Sequence, residues 1–152
     1  MNATYLNELY DDFLFSIQDH SLVNLTDEEI KEDLDYYFRK ARGNFKQCRN
    51  KLDLLKDSEG NEYFGHTDES GKKVDVLLTD FEKNILTHLM LVEYLKPKVM
   101  TDNFLKPAMS DKGFKIHSQA NHLRELNLLY RLIQKECNRM ITEYTYLDLG
   151  ED

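Results

Sequence analysis

The apolar positions of this chain fall into helical stripes broken by one turn-rich window. Leu6, Leu9, Tyr10, Phe13, Leu14 and Ile17 repeat at i, i+3, i+4, i+7, i+8 and i+11, a complete amphipathic stripe. They predict a helix over Thr4 to Gln18, with Asp19 to Asn24 as a connection. Thr26-Asp-Glu-Glu29 reads as a capping box, in which Thr26 accepts from the backbone and Glu29 reaches back to it. A second helix is predicted from Asp27 to Leu55, with Ile30, Leu34, Tyr37, Phe38, Ala41, Phe45, Cys48 and Leu52 inward. Gly43 weakens its middle by about 1 kcal/mol relative to Ala and marks a kink or a close crossing.

Residues 56–76 change character. Asp57, Ser58, Gly60, Gly65, Asp68, Ser70 and Gly71 are turn formers, and Tyr63-Phe64 and Val74-Asp-Val76 are β-prone. The window predicts a mobile loop or a small β-hairpin turning near Asp68 to Gly71. Connections this long are functional or disordered in most compact domains. Its glycines and charges bury little apolar surface, so Tyr63, Phe64, His66, Lys72 and Lys73 are expected to contact other subunits or DNA, not the core.

Thr79-Asp-Phe-Glu82 is a second capping box. It opens a helix expected to run from Asp80 to Lys96 and to end at Pro97. Phe81, Ile85, Leu86, Leu89, Met90, Val92 and Leu95 wrap most of its circumference, as on a buried central helix. Met100 to Lys115 reads as irregular, with Pro107 and Gly113 as breakers. From His117 or Ser118 onward, Leu123, Leu126, Tyr130, Ile133, Cys137, Met140 and Tyr144 step by three and four, a heptad seam on one long helix. Thr145 to Asp152 follows the seam as an apolar-aromatic, acidic tail. The expected fold is all-α: a four-helix bundle over residues 1–144, with a long last helix and a β-hairpin or loop insertion at 56–76 between helices two and three. Residues 145–152 form a C-terminal docking tail.

Composition narrows the function. The chain has 152 residues, is 41% hydrophobic and carries a net charge of −8, which fits one domain and disfavours non-specific grip on nucleic-acid phosphates. No basic, apolar leader opens the chain and no run of 18 apolar residues occurs, so a soluble protein of a reducing compartment is expected. Cys48 and Cys137 each fall on an apolar face and read as small core side chains. His20, His66, His88, His117 and His122 lack metal-ligand spacing. Asp57 to Glu62 departs from the EF-hand pattern and reads as an acidic turn. The carboxylates Asp11-Asp12 and Glu28-Glu29-Glu32-Asp33 read as solvated helix faces, and Asp35 with Arg39 as a surface pair. There is no phosphate-binding glycine loop. Neither enzyme chemistry nor a cofactor is expected. Tyr36, Tyr37 and Phe38 in a row cannot all face one core, so one of them points to a second surface.

Three stretches together resemble the neck proteins of tailed bacteriophages: Asp12 to His20, Leu89 to Pro97, and His117 to Leu123 leading to Tyr144-Thr-Tyr146. The resemblance is to head–tail adaptors, or connectors, and covers most of the chain outside 56–76. It implies a homo-oligomeric ring, usually of twelve copies, that sits under the portal protein in the virion neck after assembly in the host cytoplasm. Such a ring extends the channel for viral DNA without sequence-specific binding and offers a platform to another neck or tail-completion protein. Membranes play no part. In these adaptors the C-terminal segment commonly reaches the portal. On that basis Tyr144, Tyr146, Leu147 and Leu149 become candidate anchors, with Glu151 and Asp152 as rim charges. The alternative is an acidic DNA mimic or inhibitor that binds a basic host protein. A mimic needs spaced carboxylates along an exposed face and has little use for a buried heptad.

Overall fold

The computed structural model describes residues 2–19, 27–105 and 113–149, with side chains placed over 2–17, 31–99 and 124–147. In chain order the elements are α1 (Leu6–Asp19), α2 (Asp27–Asn44), β1 (Leu54–Lys56), β2 (Glu62–Thr67), β3 (Lys73–Asp75), α3 (Asp80–Leu105) and α4 (Gly113–Leu149). The strands form an antiparallel sheet in the order β1-β2-β3. The fold is therefore mixed α/β, which corrects the expected all-α bundle.

Both hairpins of the sheet turn by the same chemistry. Asp57-Ser-Glu-Gly-Asn61 joins β1 to β2, and Asp68-Glu-Ser-Gly-Lys72 joins β2 to β3. In each, the leading aspartate Oδ1 accepts from backbone N–H groups two and four residues on, at 2.8–3.0 Å. In each, the glycine takes φ of 84°, a left-handed conformation that costs glycine little. Gly65 serves a different need: a Cβ there would lie 2.9 Å from the Val74 carbonyl oxygen, so the β2–β3 approach requires its absence.

The sheet belongs to the core rather than standing off from it. Phe64 is fully buried and its ring meets Phe38 of α2 edge-on at 5.7 Å. Tyr63 and Val76 are buried as well. Thr4 ties the start of the chain to this layer. Its N–H donates to Val76 O, its carbonyl accepts from Phe64 N–H, and its hydroxyl accepts from Leu78 N–H. The expectation that 56–76 avoids the core fails because β2 is covered on both faces: Phe64 packs on Phe38 of α2, and Tyr63, pointing the other way, lies under the ring of Tyr5.

α3 is the central helix, packed by α1, α2 and α4. Ile85, Leu86, Met90 and Leu95 have no exposure, and each such side chain contributes about 1.5–3 kcal/mol by leaving water. Phe13 of α1, Tyr37 of α2 and Tyr94 of α3 form one aromatic cluster with centroids 5.9 Å apart pairwise.

Several expected boundaries move. α2 stops at Asn44 rather than Leu55, because Gly43-Asn44 ends it. Phe45 and Leu52 still point inward, carried by turns instead of a helix, with Cys48 half-buried. α3 runs through Pro97 to Leu105. A proline removes one i to i−4 bond and can bend a helix without ending it. Lys98 spans that turn with its ammonium 4.7 Å from the centre of the Tyr94 ring. α4 begins at Gly113, earlier than His117, and carries residues 145–149 as helix, so that part of the expected tail does not hang free. At 37 residues it is about 55 Å long. Thr26 and the Asp19-to-Asn24 connection beyond Asp19 lie outside the described residues. No helix among the described residues is long and apolar enough to cross a membrane.

Candidate partner-docking site

The capping box at the start of α3 does more than cap. Thr79 and Glu82 exchange bonds as the motif demands: Glu82 N–H donates to Thr79 Oγ1 at 3.1 Å, and Thr79 N–H to Glu82 Oε1 at 2.9 Å. Glu82 is only 1% exposed, and three side chains add to its carboxylate. Asn50 donates to Oε1 at 2.9 Å, while Tyr144 at 2.8 Å and Cys48 at 3.2 Å donate to Oε2. Every partner is a donor and each oxygen takes two, so the group must be ionised to accept them all. Burial by itself would raise the Glu82 carboxyl. The Thr79 N–H, Tyr144, Cys48 and Asn50 outweigh that and hold it below the usual glutamate range.

The carboxylate thus joins the start of α3, the 45–50 turn and the end of α4 at one point. Tyr144 is the far partner. Its ring packs between Phe45 and Phe81, its hydroxyl accepts from Arg49 N–H at 2.9 Å, and the Arg49 guanidinium lies 5.1 Å from the ring centre. Burial, more than the nearby carboxylate, pushes the Tyr144 hydroxyl up to about 12. Burial and the Glu82 acceptor push the Cys48 thiol up to about 12. A thiol held protonated is a poor nucleophile. This network therefore fixes geometry and lacks an activated thiolate.

Outside the network the surface opens. A hollow of about 400 Å³ lies over it, walled by Arg49, Asn50, Phe81 and Leu147 with Glu82 and Tyr144 at its floor. Leu147 is 54% exposed and Tyr146 is 69% exposed on the same last turns of α4. An aromatic and a leucine thus stand exposed on a helix end, beside a polar-floored hollow and over a buried, hydrogen-bonded base.

The expected site residues divide accordingly. Tyr146 and Leu147 are exposed, as the expected anchors would have to be. Tyr144 is buried and acts as the link beneath them. The side chain of Leu149, and Glu151 and Asp152 altogether, lie outside the described residues. In the sheet, Tyr63 and Phe64 are core, Lys72 and Lys73 are exposed, and His66 is half-buried. The His66 Nδ1 is buried with no hydrogen-bond partner among the described residues. The loop candidates therefore do not form one contact surface. Cys48, Asn50 and Arg49 are the site residues that sequence reasoning missed. Only the Thr79–Glu82 box signalled the place, and it signalled a helix start, not a hub. Among the described residues no group of three or more His, Cys, Asp or Glu is placed to hold a metal ion. No family model matches the chain, no curated protein is significantly similar to it in sequence, and no solved structure is significantly similar to it in fold.

Proposed function

We propose that the protein is a structural adaptor of a tailed-phage neck, a ring component that docks under the portal and passes viral DNA through its channel. The observation that carries the assembly role is the end of α4: Tyr146 and Leu147 stand exposed on a helix whose last turns are clamped to the core through Tyr144 and Glu82. A clamped aromatic-aliphatic end needs little ordering on binding, which favours affinity. The portal as the partner rests on the family resemblance of the sequence. A helix-in-groove contact fits residues 145–149 better than an added strand, because they are helical. An acidic ring wall would let DNA slide, since few fixed cations would hold its phosphates. The opposite end of the ring is the platform for a further neck or tail-completion protein.

The test is electron microscopy of portal rings mixed with the full chain or with a chain lacking residues 145–152. Added density under the portal with the full chain, and none with the shortened chain, is expected. Portal rings that stay bare with the full chain would contradict the reading.

A further inference from the structure

Charge is not spread evenly over the surface of this acidic chain. The outward stripe of α4 carries Arg124, Arg131, Lys135 and Arg139, all exposed, with Leu128 at 56% and Leu132 at 64% exposure between them. These positions share one face at 100° per residue. Glu125, Glu136 and Glu143 line one edge of it, the last two engaging Arg139, and leave Arg124, Arg131 and Lys135 on the other. Leu128 and Leu132 are i and i+4 and give that basic face an apolar centre.

α1 is the reverse. It contains no Lys or Arg. Its outward stripe is Glu8, Asp11, Asp12 and Phe15, spaced i, i+3, i+4 and i+7, and Phe15 is 67% exposed. The outer face of α2, by comparison, mixes both signs in Lys31, Glu32, Asp35, Arg39 and Lys40. α1 and α4 each take α3 as their main helical partner, which leaves both stripes outward.

We infer that the basic, leucine-centred face of α4 docks on the acidic, phenylalanine-centred face of α1 in a second copy of this chain. The two faces match: each has an apolar centre to set against the other's, and they carry opposite signs of charge. The two faces are different patches, so the contact is head-to-tail. Repeated, it closes a ring or continues as a filament, according to the rotation between copies. The α1 stripe covers about two helical turns, so a single contact is small and reversible, and closure supplies the avidity. The inference rests on the assembly reading above, but not on the portal as partner.

Sedimentation velocity of the purified chain tests it, with no portal present. The wild type should associate at about 0.1 M salt and come apart at about 1 M, where the Debye length falls from about 10 Å to about 3 Å. Asp11→Asn/Phe15→Ser, blocked on α1, and Leu128→Ser/Arg131→Gln, blocked on α4, should each be monomeric. Their mixture should give a one-to-one dimer and nothing larger, since one intact face of each kind remains. All four positions are exposed, so the variants should fold, and a circular dichroism melt of each is the check. If a variant fails to fold, the salt series on the wild type decides. A wild type that is monomeric at low salt, a blocked variant that still assembles, or a mixture that stays monomeric overturns the contact. Self-association without portal capture supports it and counts against the portal reading. Portal capture by a chain that stays monomeric overturns the contact alone.

Discussion

Tyr144, near the end of the last helix, donates its hydroxyl to Glu82 at the start of the third, 62 positions earlier in the chain. The bond is buried, and it is one of four donors on a single carboxylate. It turns the end of α4 from a free terminus into a fixed edge of the molecule.

Removing that carboxylate should be costly. Glu82→Ala leaves the donors of Tyr144, Cys48, Asn50 and Thr79 without their shared acceptor beneath the hollow, where Glu82 is 1% exposed. A loss of about 3 kcal/mol or more is expected, since each buried donor left unsatisfied costs about 1–3 kcal/mol and several lose their acceptor together. Glu82→Gln keeps the volume but turns two acceptor sites into donors, and should cost about 1–3 kcal/mol. Urea melts measure both, and a change under about 0.5 kcal/mol in Glu82→Ala would show that the network is not formed.

The helices were readable where an apolar stripe repeats at three and four without interruption. Leu6 to Ile17, Ile85 to Leu95 and Leu126 to Tyr144 all face inward as their spacing demands. β1 was hidden by an accident of spacing. Phe45, Cys48 and Leu52 continue the stripe of α2 at helical intervals, although turns rather than a helix carry them inward. A three-residue strand has no periodicity of its own to oppose that pattern. Pro97 misled in the other direction, because a proline lowers helix stability locally while packing of the whole of α3 decides its length. The Glu82 hub was half legible. The capping box gave the role of its backbone partners, but its donors at 48, 50 and 144 are long-range and leave no local trace.

The sheet should prove integral to stability. Phe64→Ala is expected to cost about 3–5 kcal/mol, as large aromatic truncations in cores do. Gly65→Ala should destabilise as well, since its new methyl would press on the Val74 carbonyl. Denaturant midpoints check both. A Phe64→Ala protein as stable as wild type would mean that the hairpins are detachable from the core.

The pH dependence follows from the same carboxylate. Folding lowers the Glu82 carboxyl below its ordinary 4.5, and a group depressed on folding stabilises above its unfolded value and stops doing so as pH falls through its folded one. Its contribution is complete at neutral pH and disappears as pH falls below about 4.5. The stability difference between wild type and Glu82→Gln should therefore narrow in acid. A difference that stays constant down to about pH 3 would contradict the assignment.

Cys48 offers a chemical probe. With its thiol pushed from 9.0 to about 12, it should be alkylated by iodoacetamide at neutral pH far more slowly than a thiol in an unfolded chain. Raised on folding, the Cys48 thiol and the Tyr144 hydroxyl both stabilise fully below their unfolded values of 9.0 and 10.0. That contribution is lost as pH climbs toward about 12. Mass spectrometry of a timed alkylation reads the rate. Rapid labelling of the folded protein at Cys48 would show an open, ionisable thiol.

The most direct test of the docking claim is the affinity of Tyr146→Asp/Leu147→Asp for the portal ring, beside wild type, by surface plasmon resonance. Both side chains are exposed, so the fold and the melting midpoint should be unchanged. Binding should weaken by more than about tenfold, which is about 1.4 kcal/mol, because exposed anchors of this kind carry interface energy rather than core energy. Portal affinity equal to wild type in a folded double variant would place the docking surface elsewhere and contradict the account.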